Sequence, residues 1–230
     1  MMAAMTEPDP DPDADPATAN DQPRTMSKGE RTRKQLIDIA IEQFGKHGYR
    51  GTSVSEITRV AGLTQAASYA YFASKEALYR EAVNADAARL IRYARERTDD
   101  TPVRQLLPSF LVFLVAALDD HPLAKRILSG QEPEGMAQLS GLSSLDSTRG
   151  GLAERIAAGQ ETGDVRRDID PEAVAIGAQT ITLALLMSLT RTQGADPSGK
   201  DTTPGESGTV PPHVIVGVVS ALDAMLSPPS

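Results

Sequence analysis

The chain has 230 residues, no cysteine and no tryptophan, and a formal net charge of −8 at pH 7. That length allows a sizeable core, which must be mainly aliphatic because aromatics make up only 4% of the residues. The missing thiols exclude disulfide frameworks, thiolate metal sites and cysteine nucleophiles.

The charge is distributed unevenly. Residues 1–27 sum to −5, residues 28–80 to +4 and residues 81–230 to −7. A phosphate backbone responds to the local field, so the basic segment matters more than the total. No basic stretch leads into an apolar one at the N-terminus, so no secretory leader is expected. The longest apolar run, Leu106–Leu118, has 13 residues and contains Pro108. It is too short for a membrane span, which predicts no membrane partner and a cytoplasmic address.

In chain order, residues 1–27 alternate Asp and Pro with small residues and offer nothing to bury, so they read as a disordered acidic tail. Asp11, Asp13 and Asp15 mimic the start of a calcium loop, but Pro16 stands where that loop needs glycine and Gln22 where it needs glutamate. Met26-Ser27-Lys28 offers a second plausible translation start besides Met1. From Gly29 to His47, Leu36, Ile37, Ala40, Ile41 and Phe44 recur at helical spacing. Arg31, Arg33 and Lys34 crowd the start of this helix, the unfavourable end for cations. They are either a solvated charged face or a basic arm reaching DNA. Gly48 ends the helix and Tyr49–Thr52 links it to the next.

Ser53-Val54-Ser55-Glu56 fits a capping box, followed by Ile57, Val60 and Ala61 on one side of a short helix. Gly62 ends that helix, Leu63 plugs the turn, and Thr64 caps a second helix over Gln65–Phe72. Ser74 caps a third, with Glu76 in its first turn. Two short helices joined by a glycine-containing turn form a helix-turn-helix, whose second helix lies in the DNA major groove.

Phe44, Gly48-Tyr49, Thr52, Ile57, Ala61-Gly62-Leu63, Tyr69, Tyr71-Phe72, Lys75 and Leu78 together give this region a family likeness. It resembles the N-terminal DNA-binding domain of the tetracycline-repressor (TetR) family of bacterial transcription regulators. The close resemblance covers roughly residues 30–80. The family pattern usually has alanine at Thr58 and an aliphatic residue at Ser68, positions that face each other where the helices cross. Their hydroxyls either bond to one another or bond back to their own helix carbonyls; the first is the hypothesis adopted.

The resemblance implies an all-α fold: a three-helix DNA-binding domain over 28–75 and a helical effector-binding and dimerisation domain over 76–230. It assigns Thr52, Tyr69, Tyr71 and Lys75 to phosphates of an operator duplex, and Thr64, Gln65, Ala66 and Ala67 to base edges. Phosphate contacts set register and base contacts set sequence, and glutamine can bond adenine bidentately. Phe72 could equally be core.

Downstream, Ser74–Arg97 reads as one long helix, and Thr101-Pro102 as a cap with proline at the first helical position. Pro108 should break or kink that helix, or mark a second start. His121-Pro122 opens a short helix through Leu128, Ser129–Ser147 reads as partly looped, and Leu152 and Ile156 mark a helix ended by Gly163. Asp170-Pro171-Glu172 starts a helix reaching Arg191 that is apolar nearly all round. A mobile loop is expected over about 193–211, then a last helix from Pro212 to Leu226.

In the resembled family the last two long helices pair with those of a second subunit, which implies a homodimer through 171–191 and 212–226 on a palindromic operator. The other helices would enclose a mainly apolar pocket for a small-molecule effector. Tyr93, Phe110, Phe113, His121, Met136 and Met187 are candidate lining residues, each of a type more often core. Repression is the family's usual mode. No cofactor or metal is called for: His47, His121 and His213 lie in separate segments, and no phosphate loop, zinc motif or nucleophile elbow occurs. The alternatives are a small helical enzyme and a protein-binding adaptor.

Overall fold

The computed structural model of the protein describes residues 26–139, 141–191 and 212–228. Most of the expected acidic tail and the loop expected over about 193–211 lie outside the described residues. Within them the chain is helix, turn and irregular connection. The helices are α1 (Lys28–Gly51), α2 (Val54–Val60), α3 (Gln65–Ser68), α4 (Lys75–Glu96), α5 (Val103–Ala117), α6 (Pro122–Leu128), α7 (Pro133–Leu139), α8 (Ser143–Thr162), α9 (Pro171–Arg191) and α10 (Pro212–Leu226). A 3₁₀ turn, Leu118–Asp120, joins α5 to α6.

Caps set several of these boundaries. Ser27 and Glu30 close a capping box ahead of α1, with Glu30 accepting the Ser27 N–H at 2.6 Å. The helix therefore starts a residue earlier than its apolar spacing indicates. At Gly48 the backbone leaves helical geometry (φ 75, ψ 171) before one more turn to Gly51. Any larger residue there would be strained, and its Cβ would lie 2.7 Å from Glu132 Oε2. The box at Ser53 forms as expected: the Ser53 hydroxyl accepts the Glu56 N–H and Glu56 accepts the Ser53 N–H at 3.0 Å.

Three details depart from the sequence-based expectations. Helix α3 spans only four residues, because the bonds beyond it tighten to the i−3 pattern at Ala70 and Tyr71. Phe72 is thereby drawn into the core, 6% exposed, with the Arg33 guanidinium over its ring. Thr58 and Ser68 are both buried, yet each hydroxyl donates within its own helix, Thr58 to the Ser55 carbonyl at 3.1 Å and Ser68 to that of Gln65 at 2.7 Å. Each is satisfied locally, which corrects the hypothesis of a mutual bond.

Pro102 occupies the cap position of α5, and Pro108 lies inside an unbroken helix. In this second turn the proline gives up the N–H that would reach the Arg104 carbonyl and crowds that carbonyl, and the helix continues past it. The segment expected to be partly looped is so: turns at 129–132 and 141–142 lie on either side of α7, and α8 begins at Ser143.

One continuous apolar core joins α1, α2, α4, α5, α6 and α9 through Leu36, Phe44, Ile57, Leu78, Leu123 and Leu186. A second cluster, around Leu106, Ile156, Val165, Ala175 and Leu226, packs α5, α8, α9 and α10 together. The chain turns by 113° between α5 with its 3₁₀ turn and α6, which lays α6 across α1. There α1 approaches so closely that a Cβ on Gly45 would sit 2.7 Å from Pro122 Cβ. Helix α10 is held to α5 by a bidentate pair, Arg104 Nε and an Nη to both oxygens of Asp223 at 3.0 Å.

Two outcomes follow from these local bonds. In a double-mutant cycle, Thr58→Ala and Ser68→Ala should add within about 0.5 kcal/mol, measured by urea denaturation followed by circular dichroism. The Ser53 backbone N–H, and then its hydroxyl, hold the Glu56 carboxyl below its ordinary value of 4.5. A depressed folded value stabilises above the unfolded one and stops doing so as pH falls through it. The stability gap between the native chain and Glu56→Ala should therefore be full at neutral pH and close on acidification below about pH 4.

Candidate nucleic-acid interface and ligand cavity

The helix-turn-helix presents a small, polar tip. Thr64 caps α3 by accepting the Ala67 N–H at 3.2 Å. Gln65 and Ala66 are exposed and Ala67 is half-buried. Tyr69 stands 54% exposed beside them. Tyr71 and Lys75 are half-buried, and the Lys75 ammonium lies 4.4 Å from the centre of the Tyr49 ring. That ring contact holds the lysine stem against α1.

Thr52 does not join this group. It is 3% exposed, and its hydroxyl donates to the Gly48 carbonyl at 2.9 Å and the Gln43 carbonyl at 3.0 Å. Its side chain ties down the end of α1, which corrects the phosphate assignment. The expected basic arm is largely spent internally: Arg33 pairs with Glu81 at 3.2 Å and Lys34 with Asp38 at 2.8 Å. Arg31 donates to the Met26 carbonyl.

Behind the tip, two acidic side chains bind the remaining helices to α1 and α6. Asp86 of α4 is 2% exposed. One of its oxygens accepts the Ala124 N–H at 2.9 Å and the other lies 2.7 Å from His121 Nδ1. Helix α6 has no side-chain cap of its own, so Asp86 caps it from another helix. Glu132, also buried, follows α6 and accepts the Tyr49 N–H at 2.8 Å, with Arg126 Nε 3.3 Å from the same oxygen. Arg50 pairs with Glu134 at 2.8 Å. Neither Asp86 nor Glu132 stood out in the sequence, where each is one acid among many. Only a buried site far from its sequence neighbours gives them meaning.

A cavity of about 190 Å³ opens among α4, α5, α6, α8 and α9. Of the six candidate lining residues, Phe110 lies on its wall. Tyr93, Phe113, Met136 and Met187 instead pack against the main core, and His121 is taken up by Asp86. Aromatic and methionine side chains on amphipathic helices fill cores first, which is why their identity alone misplaces them. The wall does include Gln179 and Thr182. The sequence does not single them out, because the same helix also carries Thr180, Ser188 and Thr190.

Residues 36–82 match the model for bacterial regulatory proteins of the tetR family. An HTH-type transcriptional regulator of Bacillus subtilis, YdgC, is 31% identical over 156 residues, covering 65% of this chain and 76% of that protein. The chain belongs to the TetR family.

It is accordingly a DNA-binding transcriptional regulator and not an enzyme. The HTH-type transcriptional repressor DhaR of Mycobacterium sp. is 28% identical to this TetR-family chain over 154 residues, 62% of it and 74% of DhaR. A solved TetR-family regulator from Cytophaga hutchinsonii shares the architecture, with a TM-score of 0.64 at 19% identity over 89% of this chain and 98% of that one.

Removing Asp86 tests the remote cap. Asp86→Ala leaves the buried Ala124 N–H and the His121 ring nitrogen without their acceptor, and should cost about 2–4 kcal/mol in urea denaturation. A loss under about 0.5 kcal/mol would mean that α6 is capped by other means.

Proposed function

We propose that this TetR-family regulator is a cytoplasmic repressor that binds a palindromic operator as a homodimer and leaves it when a small molecule fills the α4–α9 cavity. The observation that carries the operator reading is the exposed α3 tip, where Gln65 and Ala66 stand clear of the protein on a capped turn. Thr64, Gln65, Ala66 and Ala67 meet base edges, with Gln65 the discriminating one. Tyr69, Tyr71 and Lys75 meet phosphates. In this reading residues 28–75 form the DNA-binding unit and the rest serves the effector and the partner.

The homodimer rests on α9 and α10. Helix α9 is long and apolar enough to cross a membrane by length and composition, with a mean hydropathy of 1.7 and only 33% of its most apolar stretch buried. Its inner face is already engaged by α8 and the cavity, while Ile176 on the outer face is 49% exposed. On α10, Met225 is 47% exposed. A second copy presenting the same two helices would cover these faces, and its twofold axis would match two half-sites.

DNA selected from a random pool provides the operator for testing. By fluorescence anisotropy, Gln65→Ala should weaken binding by about 1–3 kcal/mol and relax preference at a single base position. Lys75→Ala should weaken all sequences alike and lower the salt slope by about one. Equal affinity for every oligonucleotide, or a stable monomer by sedimentation, would overturn the reading.

A further inference from the structure

The walls of the cavity restrict what can occupy it. Leu90, Leu107, Phe110, Leu114, Leu128 and Leu186 contribute apolar surface. Its volume, about 190 Å³, slightly exceeds the roughly 150 Å³ of an engineered cavity that stays dry and takes up benzene. The occupant is therefore about as large as one substituted ring.

Thr182 adds a hydroxyl to the wall, and most of the other polar groups there are engaged. Arg149 pairs with Asp146 and Glu172, each at 3.1 Å. Arg155 donates to the Thr98 and Thr101 carbonyls, and the Thr148 hydroxyl bonds the Ser144 carbonyl at 2.8 Å. Arg95 and Asp99 are exposed at the rim. Gln179 is different: its Oε1 is buried and has no hydrogen-bond partner among the described residues. A buried acceptor left unpaired calls for a donor from outside the chain. Among the inner wall cations Arg155 alone lacks a carboxylate partner, being held by two neutral carbonyls, and the apolar surface that makes up the rest of the wall disfavours an ionised occupant.

We infer that the cavity takes a neutral, mainly apolar molecule of single-ring size whose one hydrogen-bond donor, a phenol or alcohol hydroxyl, points at Gln179 Oε1. This inference rests on the proposed effector role of the cavity and assigns the chemical class of the effector.

Three probes of matched shape test it on the full-length protein by isothermal titration calorimetry: toluene, 4-methylphenol and 4-methylbenzoate. The phenol should bind about tenfold tighter than toluene, and the benzoate weakest. In Gln179→Leu the phenol should fall to the level of toluene, while retained toluene binding shows that the variant is folded. Equal binding of phenol and toluene, a preference that survives in Gln179→Leu, tightest binding of the benzoate, or no binding of any probe would each overturn the inference.

Operator affinity measured on the same samples separates the two proposals. Gln179-dependent phenol binding with unchanged operator affinity would uphold the ligand class and overturn effector release. A sequence-specific operator complex with an empty titration would overturn the ligand class alone.

Discussion

A single buried carboxylate determines where α6 lies. Helix α6 has seven residues and lacks a side-chain cap of its own, and so short a helix has little stability apart from its packing. Asp86 supplies the missing acceptor from α4 and places negative charge at the positive end of the α6 dipole. With its N-terminus held, α6 presses Pro122 against α1 at Gly45 and turns Ala124 and Leu128 toward the cavity. The residues after α6 then bring Glu132 to the Tyr49 N–H, immediately before the chain enters the helix-turn-helix.

This arrangement makes the two halves of the protein mechanically continuous. The boundary expected near residue 75 falls inside one core that runs from Leu36 and Ile57 to Leu186. Close-packed interiors transmit displacement instead of absorbing it. On the effector reading proposed above, an occupant that favours one position of α6 over another would act on the Gly48 kink through Glu132. Its effect is limited by its differential affinity for the two positions.

Electrostatics refine the picture drawn from segment charge. The basic stretch is real, but several of its cations are paired internally: Arg33 with Glu81, Lys34 with Asp38 and Arg50 with Glu134. Such exposed pairs contribute little to stability, yet they reduce the positive field available to a phosphate backbone. The tip itself presents hydroxyls, a glutamine and one lysine lying over a tyrosine ring.

The sequence by itself determined the succession of helices, the helix-turn-helix with its Ser53–Glu56 box and the Asp170–Arg191 helix. Those readings rest on capping chemistry and apolar periodicity, which are local and so visible along a single chain. Only the tertiary structure decided that Thr52 faces inward, that Thr58 and Ser68 bond within their own helices, and that Phe110 but not Met187 borders the cavity. It alone revealed Asp86, Glu132 and Gln179, because a side chain's role in these cases depends on partners 35 or more residues away or on a partner's absence. Long-range burial changes the meaning of a residue without leaving a mark on its neighbours in sequence.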